Sequence, residues 1–212
     1  MSNNYVQYGC GFSAPDKWVN FDASPTLRLE QLPVLGHLLT RRSSHKKSRF
    51  PKNVKYGNII KGLPLKKESA SLVYCSHVLE HLSLNDCRKS IQNTYDLLKK
   101  GGTFRLVMPD LERLIQDYVK SDSDNAAINF MDESLLGLKQ RNYTVSRFLI
   151  DFFGGSNHLW LWDFKSFKKE LESVGFSNVR RANFRDNNDP MLNDVEEISR
   201  WDGHLGIECV KT

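Results

Sequence analysis

Residues 70–81 read ASLVYCSHVLEH, and this stretch decides the fold class. Ala70–Cys75 is a short apolar run suited to a strand buried on both faces of a parallel sheet. Ser76 and His77 then emerge at its carboxyl end, the edge at which open α/β sheets bind ligands. Downstream, Ser83 with Asp86 three residues on predicts a helix start. Cys87, Ile91, Tyr95 and Leu98 share one face of that helix, and Gly101-Gly102 is expected to stop it. Thr103–Met108 (TFRLVM) reads as the next strand, and Asp110 to about Val119 as the next helix. Residues 121–160 suggest two helical segments around a polar break. Asp163 then caps a helix burying Phe164, Phe167, Leu171 and Val174, which Gly175 ends. Asn178–Ala182 and Gly206–Lys211 supply two last strands with no obvious helix between them.

Upstream, Tyr5–Tyr8 and Trp18–Asp22 are strand-like, Thr26–Leu39 holds short helical pieces, and Val54–Ile60 reads as extended. Strand and helix alternate before the final strand pair, which predicts a mostly parallel α/β sheet with one late antiparallel strand. The 212 residues fit one domain, spanning 1–212, and 26% charged residues is ordinary for a globular chain. No apolar run reaches the roughly 18 residues of a membrane span, and the N-terminus MSNNYVQYGCG has no signal-peptide pattern, so a cytoplasmic protein is expected. Cys10, Cys75, Cys87 and Cys209 form no C-x-x-C pair and suit reduced thiols. Seven bases and no acid lie between Gly36 and Gly57: Arg41, Arg42, Lys46, Lys47, Arg49, Lys52 and Lys55. Such a run is either a solvated loop or a site for acidic or phosphorylated groups.

Three constellations carry chemistry. Gly9-Cys10-Gly11 directly after the first strand lets a ligand approach the backbone, and Asp22 at the second strand's end can accept bonds from both hydroxyls of a ribose. Tyr56-Gly57-Asn58-Ile59 offers an amide and a following N–H to the edge of a base. Cys75–His81 places Ser76 and His77 beside the first glycine turn if the two strands are neighbours. The same residues also read H-x-x-E-H (His77, Glu80, His81), the inverted zinc-peptidase motif. That motif needs both histidines on one long helix and a distant third ligand. Here the first histidine sits at a strand end and the run breaks at Ser83, so no metal is expected.

Together YGCG, WVNFDAS, YGNIIKGLP, LVYCSHVLEHL, LLKKGGTFRLVMPD and LGIECVK resemble the class I S-adenosylmethionine-dependent methyltransferases, in the branch called type 11. The resemblance extends through NHLWLWDFKSFKKELESVGFSNVRR to a sub-branch of small methyltransferases. It implies a Rossmann-like, mostly parallel seven-stranded sheet with helices on both faces, and S-adenosylmethionine as cofactor with S-adenosylhomocysteine as product. It places Gly9, Cys10 and Gly11 along the methionine end of the cofactor, Asp22 on the ribose and Ala23 near the adenine. Asn58 and Ile59 would meet the adenine edge, and Cys75 and Ser76 would flank the methionine through backbone atoms. Three positions depart from the family pattern: Gln7 and Asn58 stand where acids are usual, and Ser13 where a third glycine is usual.

Methyl transfer from a sulfonium is an in-line displacement, so alignment is the main requirement and a base assists a hydroxyl acceptor. His77 is the first candidate base and His158, after Gly154-Gly155-Ser156-Asn157, the second. The resemblance points to a small-molecule or glycan-type acceptor methylated at oxygen, acidic or phosphorylated if the basic insertion at about 36–56 contacts it. Residues 121–162 would form a helical acceptor cap. No Asn-Pro-Pro-Tyr-type motif points to nucleic-acid bases. A non-catalytic cofactor-binding protein, a nucleic-acid methyltransferase and a zinc hydrolase remain as alternatives, and the oligomeric state is not legible.

Overall fold

β4 (Ala70–Ser76) forms the middle of the sheet because its side chains are apolar on both faces: Val73 and Cys75 enter one core, Leu72 and Tyr74 the other. The structure is a computed structural model that describes residues 4–31, 49–139 and 157–212. Around β4 stand β1 (Tyr5–Tyr8), β2 (Val19–Asp22), β3 (Val54–Tyr56), β5 (Leu98–Pro109), β6 (Phe176–Ala182) and β7 (His204–Lys211), in the order β3-β2-β1-β4-β5-β7-β6. The pairs from β3 to β5 are parallel, and β7 runs antiparallel to both β5 and β6. The expected seven-stranded sheet with one late antiparallel strand is therefore present.

Six helices are described: α1 (Pro25–Glu30), α2 (Leu84–Leu97), α3 (Leu111–Lys120), α4 (Ala126–Glu133), α5 (Phe164–Val174) and α6 (Ile198–Trp201). On one face α2 and α5 bury Cys87, Ile91, Leu97, Phe167 and Leu171 against the sheet. On the other, Leu192, Val195 and the α6 residue Trp201 cover Leu72, Tyr74 and Val107. Removing Phe167 or Leu171, both fully buried, would cost on the order of 2–5 kcal/mol. The predicted caps form: Ser83 accepts the N–H of Asp86, Asp163 that of Ser166, and Asp110 that of Glu112. Gly175 ends α5 in the left-handed conformation at φ 115°.

Two expectations are corrected. α2 stops at Leu97 rather than at Gly101-Gly102, and Leu98 opens β5 opposite Ala70. The ladder shifts register between Ala70 and Leu72, so the two glycines lie inside the strand, where the irregularity absorbs them. Leu98 is fully buried in the sheet, and that burial wins over one more helical turn. The segment Val54–Ile60 is extended only to Tyr56, after which Asn58 caps a 3₁₀ turn at Ile59–Lys61.

Arg41, Arg42, Lys46 and Lys47 lie outside the described residues, as does 140–156 of the expected cap. Among the described residues no helix is long and apolar enough to cross a membrane.

Candidate active site

The glycine turn, the second acid and the Ser76-His77 corner meet at the carboxyl edge of β1, β2 and β4. Tyr8 pairs with Phe21 on one side and with Cys75 on the other, so the three strands end side by side. Cys10 N–H donates to the Phe21 carbonyl at 3.1 Å, and Gly11 N–H donates to Asp22 Oδ2 at 3.0 Å. Ser24 N–H donates to the other carboxylate oxygen at 2.7 Å. Each oxygen keeps a second lone pair, so Asp22 can hold the loop and still accept two hydroxyls of a ribose. Gly9 and Gly11 both have positive φ, 66° and 54°. A side chain at Gly9 would run into Val78, whereas one at Gly11 would meet open space. Gly9 thus serves the packing of the corner, and Gly11 borders open space.

Gln7 is buried, and its amide nitrogen donates to the Ser13 carbonyl at 2.7 Å and to Asn20 Oδ1 at 2.6 Å. A carboxylate could make neither bond, which accounts for glutamine where an acid is usual. Asn58 Oδ1 accepts Ile60 N–H at 2.9 Å and has one lone pair left for a base edge. Burial, and then Asp22, push the Cys10 thiol up to about 12, so it stays protonated. The other three cysteines are buried and free as well.

His77 leaves β4 in the left-handed conformation, at φ 52°, which is uncommon for a residue with a side chain. Its Nδ1 lies 3.1 Å from Glu80 Oε1 and its Nε2 3.0 Å from the Arg200 carbonyl. A carbonyl only accepts, so Nε2 carries a hydrogen, and the bond between Nδ1 and Glu80 requires a second proton, on Nδ1 or on the carboxyl group. His158 is buried, with Nδ1 2.7 Å from the Ser134 carbonyl, and burial holds its imidazole below the ordinary value despite Glu80. His204 has Nδ1 2.8 Å from the Asp202 carbonyl, and burial, then His77, lower it too. In both rings the hydrogen belongs on Nδ1, which leaves a lone pair on Nε2. The His77 and His204 rings meet edge to face at 4.7 Å.

These three histidines border a cavity of about 550 Å³ together with Arg113, Leu135 and Asp202. Two arginine nitrogens are taken by Asp117 and Glu133, but the buried Nε of Arg113 has no partner among the described residues. His204 and Arg113 were not among the expected site residues. His204 opens the antiparallel β7 opposite Pro109, and the amino end of an antiparallel strand lies at the carboxyl edge of its parallel neighbours. That signal was available in Asp202-Gly203-His204. Of the tryptophan pair, Trp162 is buried against Phe167 and Trp160 is 41% exposed.

No curated protein matches the chain in sequence. A SAM-dependent methyltransferase from Thermotoga maritima, described as a possible histamine N-methyltransferase, has the same fold with a TM-score of 0.51 and 16% identity. The match covers 100% of this chain and 83% of that one. A SAM-dependent methyltransferase from Archaeoglobus fulgidus matches with a TM-score of 0.50 and 15% identity over 99% of this chain and 86% of that one. PigF, solved with SAH, aligns at 0.49 and 13% identity over 99% of this chain, which spans only 50% of that protein. Residues 7–106 match the family model Methyltransf_11, described as a methyltransferase domain. Residues 7–106, from β1 into β5, thus carry the sequence of a type 11 methyltransferase domain on the matching sheet.

Proposed function

We propose that this enzyme methylates a hydroxyl of a small, oxygen-rich acceptor of the glycan type, held in the cavity between His77, Arg113 and His204. The observation that carries the reading is the lining of that cavity: His204, whose Nε2 lone pair is left free, and Arg113, whose buried Nε has no partner among the described residues, border one volume with His77. S-adenosylmethionine, when bound, supplies a methyl group on a sulfonium sulfur. Gly9, Cys10 and Gly11 would line its methionine end, Asp22 would take the ribose, Ala23, Asn58 and Ile59 would hold the adenine, and Cys75 and Ser76 would flank the methionine. Arg113 Nε–H donates to an acceptor oxygen and orients it. His204 Nε2 would take the hydroxyl proton of the acceptor, whose oxygen would receive the methyl group that the cofactor supplies. Burial favours this assignment by keeping His204 unprotonated near neutrality. His77, with both nitrogens bonded, positions the corner rather than accepting the proton.

The test is transfer from methyl-labelled S-adenosylmethionine to a panel of sugars, sugar acids and phenols. An ether-linked label that survives mild alkali is expected, and His204→Gln should lower kcat by about 10²–10⁴-fold with S-adenosylhomocysteine affinity unchanged. Label on nitrogen or carbon, or a His204→Gln enzyme that turns over like the parent, would overturn the assignment.

A further inference from the structure

Glu80 is fully buried, and its Oε2 has no hydrogen-bond partner among the described residues, while Oε1 faces His77. Leaving a buried carboxylate oxygen unpaired costs on the order of 1–3 kcal/mol or more, so a fold that keeps one calls for a positive partner. Two imidazoles stand near this carboxylate, and His158 Nε2 lies 4.0 Å from Oε1. Ligand atoms of Glu80, His81 and His158 all lie within 4.8 Å of one another, and the two rings stand 4.9 Å apart at 65°. Nδ1 of His81 is 3.2 Å from the Asn157 carbonyl, and Nδ1 of His158 is 2.7 Å from that of Ser134. A carbonyl only accepts, so both rings carry their hydrogen on Nδ1 and keep the lone pair on Nε2. Backbone carbonyls fix histidine ligands in this way at metal centres. The backbone also clamps the partners together: Leu159 and Trp160 N–H both donate to the Glu80 carbonyl, at 2.7 and 3.1 Å.

We propose that Glu80, His81 and His158 bind one divalent transition-metal ion of the zinc type, beside the cavity that His158 lines. Two imidazoles and one carboxylate suit zinc and its neighbours rather than magnesium or calcium, which prefer all-oxygen shells. Three protein ligands leave a position open. That position would take an acceptor oxygen and ease loss of its proton, a role that rests on the methyl-transfer reading above; the metal site itself does not. The H-x-x-E-H residues thus regroup. His77 bonds the carboxylate, and His158, from 81 residues further along the chain, takes its place.

The experiment is titration of chelator-treated, metal-free protein with Zn²⁺ alone by calorimetry, with Co²⁺ as the spectroscopic probe and S-adenosylhomocysteine titrated into the same samples. One equivalent of Zn²⁺ per chain is expected, and His81→Gln or His158→Gln should weaken uptake at least tenfold. Protein that takes S-adenosylhomocysteine but neither metal overturns this site and leaves the methyl-transfer reading intact. Protein that takes one metal but no S-adenosylhomocysteine supports the site and counts against that reading. Should the variants fail to fold, X-ray absorption of the zinc-loaded parent decides. A shell of nitrogen and oxygen with imidazole scattering supports the site; sulfur in the shell moves the metal to a cysteine and overturns it.

Discussion

Two buried polar clusters lie on the sheet, and they are built in opposite ways. Arg105, fully buried in β5, donates to Glu196 through Nε, to Asp186 and Glu208 at 2.9 Å each, and to the Asn183 carbonyl at 2.7 Å. It also lies over the Trp201 ring at 4.6 Å. All three of its nitrogens are occupied, and they tie β5 and β7 to the segment after β6. Glu80 is equally buried but keeps an orphan oxygen, and its carboxylate lies within 4.8 Å of ligand atoms of His81 and His158. A closed network has no room for a ligand and serves stability or specificity of the fold. An open one gives up stability locally, which is how sites are recognised.

Breaking the closed cluster gives the largest expected effect. Arg105→Leu strands Glu196, which is 4% exposed, and should lower the urea-unfolding free energy by about 3–5 kcal/mol. Folded molecules should still bind S-adenosylhomocysteine with parental affinity. Glu80→Gln sharpens the contrast, because it removes a buried charge whose Oε2 has no partner among the described residues and whose Oε1 is bonded by His77. It should change stability by less than about 1 kcal/mol and abolish zinc uptake. Equal losses for the two variants would show that both clusters are structural.

The glycine turn offers a smaller version of the same contrast. Gly9→Ala and Gly11→Ala share the strain of positive φ, about 1 kcal/mol each, but only at position 9 must Val78 also move. Thermal unfolding should place Gly9→Ala about 1–2 kcal/mol below Gly11→Ala. Cofactor affinity should be the more sensitive readout for Gly11→Ala, whose methyl enters the open volume. Reversal of either order would place the ligand on the wrong side of the turn.

What could be read from the chain follows the same division. β4 was legible because a strand buried on both faces is written as an uninterrupted apolar run, and the caps at Ser83, Asp110 and Asp163 because each serves an N–H within three residues. Leu98 misled because an apolar residue satisfies a helical face and a strand equally well, and only its pairing with Ala70 decides. Arg105 gave no sign of its partners, which lie 78–103 residues away. His77, Glu80 and His81 spell one linear motif that the strand end at His77 and the break at Ser83 argue against. The left-handed backbone at His77 separates the first histidine from the other two and leaves room for His158.

The basic stretch tests whether charge outside both clusters contributes. Replacing Arg41, Arg42, Lys46 and Lys47 together by glutamine should raise KM for an acidic acceptor several-fold, in line with about 0.3–1 kcal/mol in total for exposed pairs. Salt should produce the same rise in the parent enzyme. A neutral acceptor should show neither change, and an acidic acceptor indifferent to both would return the segment to plain surface.

The smallest effect comes from the rim of the closed cluster. Burial alone would push the Asp186 carboxyl up, but the Arg180 guanidinium, the Asn183 N–H and Arg105 together pull it down to about 2. The ionised form is therefore favoured by folding. Its contribution is complete above the ordinary value near 3.9 and is lost as pH falls through about 2. Asp186 is partly exposed and paired mainly with Arg180, itself 42% exposed on its side chain, so solvent screens much of the interaction. Urea midpoints measured stepwise from pH 5 to pH 2 should show the parent losing stability while Asp186→Asn declines less. The two curves should converge at the acid end, because protonation makes the parent's side chain as neutral as the amide. A gap that stayed constant across this range would mean that Asp186 acts through hydrogen-bond geometry alone. Charge would then not distinguish the closed cluster from the open one, and the contrast between them would rest on partner count.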